Sequence, residues 1–245
     1  MILKNFLVTD RIDSKLEFNG MDCHSRCFDK KHFKNFSSPV EYSYNSRGFR
    51  DREWPENLDD LKNNVVWCIG DSFTVGIGSP LEHTWPRAIE HKSGMMAINV
   101  SMDGASNEWI ADRAVELITE INPRFVIIMW SFIHRRQVKV QATKQYDPGQ
   151  IKQLYSGRTT NRDDVDHFSG CLQRLNDFTD TTVVHTMVPE SAPEAWIGQC
   201  RDLISQQRYH IPIVQKIDLA RDGFHFDRFT AESVALQVLS QISHR

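Results

Sequence analysis

The chain has 245 residues, 40% of them apolar, with a formal net charge of −3. That length can bury a substantial core, and an α/β domain of this size often stays undivided. The charge balance indicates no broad basic face for nucleic acid or an anionic membrane, and no apolar run approaches the ~20 residues of a membrane span. Five cysteines, Cys23, Cys27, Cys68, Cys171 and Cys200, are odd in number and mostly scattered, which argues against a disulfide framework.

In chain order, residues 1–60 come first. They are polar, rich in Asp, Lys, Asn and Ser with scattered aromatics, and are expected to form an extension of short strands or extended chain packed on the core. The first ten residues meet charge too soon for a secretory signal, so a cytoplasmic location is expected. Cys23-His24-Ser25-Arg26-Cys27 has the look of half a metal site, which His32 could join. No second cysteine pair follows at finger-like spacing, and no metal is expected.

From residue 61 to 245 apolar strand candidates alternate with helix candidates. The strands are expected over Val65–Ile69, 96–100, Phe125–Trp130, 182–188 and 213–217, and the helices over 84–91, Asn107–Ile121, 164–178, 194–207 and 229–243. Ala114, Leu117, Ile118 and Ile121 recur at helical spacing and would face a sheet. The βαβα order predicts an α/β domain with a parallel sheet and helices on both sides. An insertion near 135–162, with Asp147-Pro148-Gly149 inside it, is long for a compact domain, as lids and binding loops often are.

The strand at Val65–Ile69 ends in Gly70-Asp71-Ser72-Phe73-Thr74-Val75-Gly76. A β-branched, aromatic run bounded by glycine suits a strand buried on both faces, and in open α/β sheets ligands bind beyond the carboxyl ends of strands. Ser72 would stand at that edge. Asp and Ser also suit a plain turn and helix cap. The spacing lacks the Gly-Lys-Ser/Thr ending of a P-loop, and the third glycine of a dinucleotide fingerprint is absent, which argues against a phosphate-binding loop.

Near the other end, Asp222-Gly223-Phe224-His225 places a carboxylate and an imidazole three residues apart. A serine hydroxyl attacks poorly until a base takes its proton, and the base works best with a carboxylate fixing its tautomer. Ser72, His225 and Asp222 can fill these roles.

These residues resemble the SGNH or GDSL-type hydrolases. Gly70-Asp71-Ser72 with Gly76 is similar to that family's first block, Ala97-Ile98-Asn99-Val100-Ser101-Met102-Asp103-Gly104 to its second, and Asp222-x-x-His225 to its last. Asn45-Ser46-Arg47-Gly48-Phe49-Arg50 resembles a lead-in segment of some members. The resemblance implies a flavodoxin-like three-layer αβα sandwich, here with a parallel five-stranded sheet. It further implies catalytic Ser72, Asp222 and His225, an oxyanion hole from the N–H groups of Ser72 and Gly104, and no cofactor.

The third block departs from the family, whose Gly-x-Asn-Asp supplies an oxyanion-binding Asn. Here Ser131-Phe132-Ile133-His134-Arg135-Arg136 follows the strand. Ser131, Asn107 and His134 are the candidate replacement donors, and Arg135 is a candidate substrate contact unless it lies in a solvated turn. The expected activity is hydrolysis of a small acyl ester on a carbohydrate or similar polar carrier, a small-molecule or glycan ester. The alternatives are an O-acyltransferase using the same triad and a catalytically weak binding module of the same fold.

Overall fold

The computed structural model describes residues 12–16, 21–55, 64–136 and 162–243. The expected insertion lies for the most part outside the described residues, as do the first eleven. A short antiparallel pair, β1 (Lys15–Leu16) and β2 (Tyr42–Ser43), brackets a one-turn helix, α1 (Lys30–Phe33). These elements come before the main sheet in the chain and sit against its loops.

The main sheet consists of β3 (Val65–Ile69), β4 (Met96–Asn99), β5 (Phe125–Trp130), β6 (Thr182–Met187) and β7 (Tyr209–His210). All pairings are parallel, in the order β4-β3-β5-β6-β7. Side chains alternate across a strand, so each face of a buried strand needs its own cover. Val65, Trp67 and Ile69 pack with α4 (Asn107–Ile121), α5 (Arg162–Gln173) and α6 (Glu194–Ser205). Val66 and Cys68 pack with α3 (Trp85–Ser93) and α7 (Arg228–Ile242). The result is a three-layer αβα sandwich of flavodoxin-like strand order.

Strand order fixes where the chemistry can sit. From β3 the chain crosses one face through α3 to β4, returns across the other through α4 to β5, and continues outward on that second face through α5 and α6. Crossovers leaving β3 and β5 on opposite faces leave a crevice at the carboxyl ends of these two strands. The turn carrying Ser72 follows β3, and Ser131 follows β5.

The fifth strand differs from the expectation at 213–217. The pairing segment is Tyr209–His210, opposite Val184 and His185, and Ile217 is 65% exposed. Only scattered ladder bonds continue beyond β7, from Ile211 N–H to the His185 carbonyl and from Val214 N–H to the Met187 carbonyl. Pro212 has no N–H to donate and interrupts the ladder, as proline does at sheet edges. The apolar run still fills the core, with Ile211 and Val214 buried, but by packing rather than by pairing. Helix ends shift by one to a few residues: α5 stops at Gln173 and α6 at Ser205.

His185 lies wholly within this core. The Trp130 indole N–H donates to His185 Nδ1 at 3.1 Å, with the rings stacked at 6.0 Å. That bond needs the Nδ1 lone pair and so the neutral ring. Burial, with a smaller push from His210, pulls His185 down to about 3. The unfolded chain titrates near the ordinary value of about 6.5 and therefore binds the proton that the folded chain refuses. Stability should fall as pH drops from about 6.5 towards 3, by on the order of 1 kcal/mol per pH unit from this group. Urea unfolding of wild type and His185→Gln between pH 7 and 4.5 should show the steeper loss in wild type; equal slopes would refute this.

Candidate active site

The turn carrying Ser72 is set by what surrounds it. A Cβ on Gly70 would lie 2.1 Å from Thr74 Oγ1 and 2.9 Å from the Met129 carbonyl, so only glycine lets β3 turn beside β5. Asp71 then caps the four-residue helix α2 (Ser72–Val75), accepting from Phe73 N–H at 3.0 Å. Ser72 opens that helix and is 3% exposed.

Asp222, His225 and Ser72 come together from opposite ends of the chain. Asp222 Oδ1 accepts from the N–H groups of Phe224 and His225, both at 3.0 Å. Its Oδ2 lies 2.5 Å from His225 Nδ1, and His225 Nε2 lies 2.8 Å from Ser72 Oγ. With Nδ1–H donating to the carboxylate, Nε2 keeps its lone pair towards the Ser72 hydroxyl. Burial pushes Asp222 up, but its bonds and charge interaction with His225 and the two backbone N–H groups outweigh that and hold it below the usual carboxylate value. The loop has no slack at Gly78, where an added Cβ would stand 3.0 Å from Asp222 Oδ1.

The β4–α4 turn carrying Gly104 lies alongside, coupled by the bond from Met102 N–H to the Gly70 carbonyl at 3.2 Å. Gly104 has φ +74° and is half-buried. Among the described residues, the N–H groups of Ser72 and Gly104 make no hydrogen bond.

The third-block residues lie beneath the site in a closed polar network. Asn107 accepts from Ser131 N–H at 2.7 Å and donates to the Ser131 carbonyl at 3.2 Å. The Ser131 hydroxyl donates to Asp71 Oδ2 at 2.6 Å and accepts from Arg135 Nη1 at 2.8 Å. Arg135 Nη1 also reaches Asp71 Oδ2 at 2.7 Å and the Ala105 carbonyl at 3.4 Å. Arg135 is buried against Asp71 rather than set out towards solvent. His134 is half-buried, its ring 5.8 Å from Phe132, and burial with Arg135 and Arg136 lowers its pKa.

Several neighbours carry no local sequence signal. Tyr42 Oη donates to Asp22 and accepts from Gly78 N–H, each at 2.8 Å. Arg221 Nη1 pairs with Asp22 Oδ1 at 2.9 Å, and Phe28 N–H donates to the Asp222 carbonyl at 3.2 Å. Cys23 and Cys27 bond locally, to Ser25 Oγ and the His24 carbonyl, and His32 turns to the Ala220 carbonyl. Among the described residues no group of three His, Cys, Asp or Glu could hold a metal, and no helix is long and apolar enough to cross a membrane.

No protein-family model matches the sequence, and no curated protein matches it significantly. Solved structures do. A G-D-S-L family protein from Desulfitobacterium hafniense DCB-2 aligns over 74% of this chain and 100% of its own, with a TM-score of 0.51 and 12% identity. A lipase/acylhydrolase from Enterococcus faecalis aligns over 74% of this chain and 96% of its own, with a TM-score of 0.48 and 14% identity. The chain therefore has the fold of the G-D-S-L, or SGNH, proteins.

The Asp71–Arg135 pair is fully dry, so removing one partner strands a charge. Arg135→Met should lower stability by about 3–5 kcal/mol, and adding Asp71→Asn should recover a good part of it. Thermal unfolding of the single and double variants checks this; a double variant no more stable than the single would count against it.

Proposed function

We propose that the protein is a serine esterase of the SGNH type, with Ser72 as nucleophile, His225 as general base and acid, and Asp222 as the group that orients His225. The observation that carries the reading is the unbroken chain from Asp222 Oδ2 through His225 to Ser72 Oγ, at 2.5 and 2.8 Å. Both spans are within proton-transfer reach. Phe73, whose ring is 4.5 Å from His225, and Phe224 at 5.1 Å hold the imidazole between them.

Ser72 Oγ attacks the ester carbonyl as its proton passes to His225 Nε2, and Asp222 stabilises the imidazolium. The tetrahedral oxygen takes the N–H groups of Ser72 and Gly104. His225 then protonates the leaving alkoxide, and the acyl-enzyme is resolved by water that His225 deprotonates in turn. Asn107 and Ser131 have their polar groups committed to the network below the site. One oxyanion donor is worth about 10²–10³ in turnover. The preferred substrate in this reading is a small acyl ester on a carbohydrate or similar polar carrier.

A fluorophosphonate should modify wild type once, on Ser72. Ser72→Ala should give no adduct, and His225→Ala should label at least about 10³-fold more slowly. Asp222→Asn should cost about 10⁴ in kcat on an activated acetyl ester, since the carboxylate that fixes the tautomer is gone. Intact mass, peptide mapping and steady-state kinetics read these outcomes. A wild-type protein that resists a reagent labelling a known serine hydrolase would end the esterase reading.

A further inference from the structure

The loop that holds Asp222 and His225 carries a feature that the triad does not use. Residues 21–36 are pinned to the loop holding Asp222 and His225, through Phe28 N–H on the Asp222 carbonyl, His32 Nε2 on the Ala220 carbonyl at 2.9 Å, and the buried Arg221–Asp22 pair. Gly223 packs so closely here that an added Cβ would meet Asp29 Cβ at 3.0 Å. This strap cannot drift from the triad without breaking those bonds.

Phe28 projects from it, 65% exposed, with its ring 4.7 Å from that of Phe224. Phe224 meets His225 edge-on and stacks over Phe132 at 6.4 Å, and Phe73 completes the wall on the nucleophile's own helix. A run of aromatic faces thus leads from the nucleophile outward and ends on an exposed ring. Large apolar side chains cost solvation when exposed, so a ring left open on this path is suited to cover a ring-shaped ligand face.

The same strap is strongly cationic in a chain of net charge −3. Arg26, Lys30, Lys31 and Lys34 are all exposed, and none makes an ion pair among the described residues. The single carboxylate among residues 26–34, Asp29, is occupied in capping α1 through Lys31 N–H and His32 N–H at 2.9 and 3.0 Å. Lys216, whose Nζ sits 5.1 Å from the Phe224 ring centre, adds a cation beside the wall, paired with Glu190.

We infer that Phe28 with Arg26, Lys30, Lys31 and Lys34 forms a subsite for an anionic glycan, a polymer whose sugar faces cover the ring and whose carboxylates or phosphates meet the cations. This rests on the esterase reading, in which the leaving alcohol departs past His225, beside Phe224 and Phe28. The substrate is then an acyl ester of an acidic polysaccharide. Charge attraction of this exposed kind is screened by salt.

The test uses the whole protein with acetylated polygalacturonate, acetylated phosphomannan and neutral acetylated mannan, matched in acetyl content. Wild type should prefer one acidic polymer over mannan by about tenfold in kcat/KM at low salt, and which one is preferred separates carboxylate from phosphate. The preference should collapse towards unity above about 0.3 M salt and in K30E/K31E, and fall in Phe28→Ala. Equal kcat/KM on acidic and neutral polymers, or a preference that K30E/K31E leaves intact, overturns the subsite. Binding is read separately, by electrophoretic retardation of Ser72→Ala in gels holding the unacetylated polymers. Retardation by an acidic polymer with no fluorophosphonate labelling of wild type would uphold the subsite and end the esterase reading. Labelling with no retardation would do the reverse, and binding only to vesicles of acidic phospholipid would overturn the subsite.

Discussion

Both oxygens of the Asp71 carboxylate are committed, and the rest of the site is arranged around them. Oδ1 caps the helix that Ser72 opens, while Oδ2 receives the Ser131 hydroxyl and the Arg135 guanidinium. Arg135 in turn touches the Ala105 carbonyl, next to Gly104. One buried charge pair therefore links the turns after β3, β4 and β5, which carry Ser72, Gly104 and the divergent third block. Such a pair is costly to desolvate and seldom adds much net stability. Its use here is geometric, because moving any one turn strands a charge or a donor.

His225 and Asp222 depend on a different set of bonds, contributed by residues far away in sequence. Asp22 is wholly buried between the Tyr42 hydroxyl and Arg221, and burial raises its pKa even against those two partners. Tyr42 also receives the Gly78 N–H, and Gly78 abuts Asp222. Arg50 closes the other side of the same loop, its guanidinium over the Tyr42 ring and bonded to the carbonyls of Val75, Gly76 and Ser79. The segment before β3 thus supplies the walls of the cradle in which Asp222 and His225 sit.

Much of this was legible in the sequence, because the informative parts are local. Strands β3, β4 and β5 announced themselves as apolar runs, since burial on both faces demands them, and glycine beside an Asp-Ser pair marks a strand-to-helix turn wherever backbone must approach backbone. The Asp222-x-x-His225 spacing also reads locally, one loop placing both groups. Illegible were the contacts that depend on distance in the chain. Asp22 and Arg221 are 199 positions apart, and nothing near either residue names the other. Arg135 reads locally as a solvated basic turn because a guanidinium at a strand end usually meets water, and nothing in the sequence shows that Asp71, which suits a cap, also pairs with it through its second oxygen. The edge strand was misplaced because an apolar run signals burial, and burial at a sheet edge does not require a ladder that Pro212 could not complete.

These arrangements bear on how the proposed mechanism accommodates the lack of a third-block Asn. Catalysis by hydrogen-bond donors depends on how well they are oriented before charge develops and on how little water competes with them. Ser72 is 3% exposed and His225 is bordered by Phe73 and Phe224, so in the proposed mechanism the charges on Asp222, His225 and the oxyanion would interact in a medium of low effective dielectric. In the proposed mechanism the two backbone donors, held by the Asp71 network, would act in fixed positions, with no side-chain rotamer to be ordered as the transition state forms. An Asn in the third block would add a donor, but its place at the end of β5 is filled by the residues that keep the other two aligned. Under the proposed esterase reading, the divergence would exchange an Asn contact with the oxyanion for rigidity in the backbone contacts.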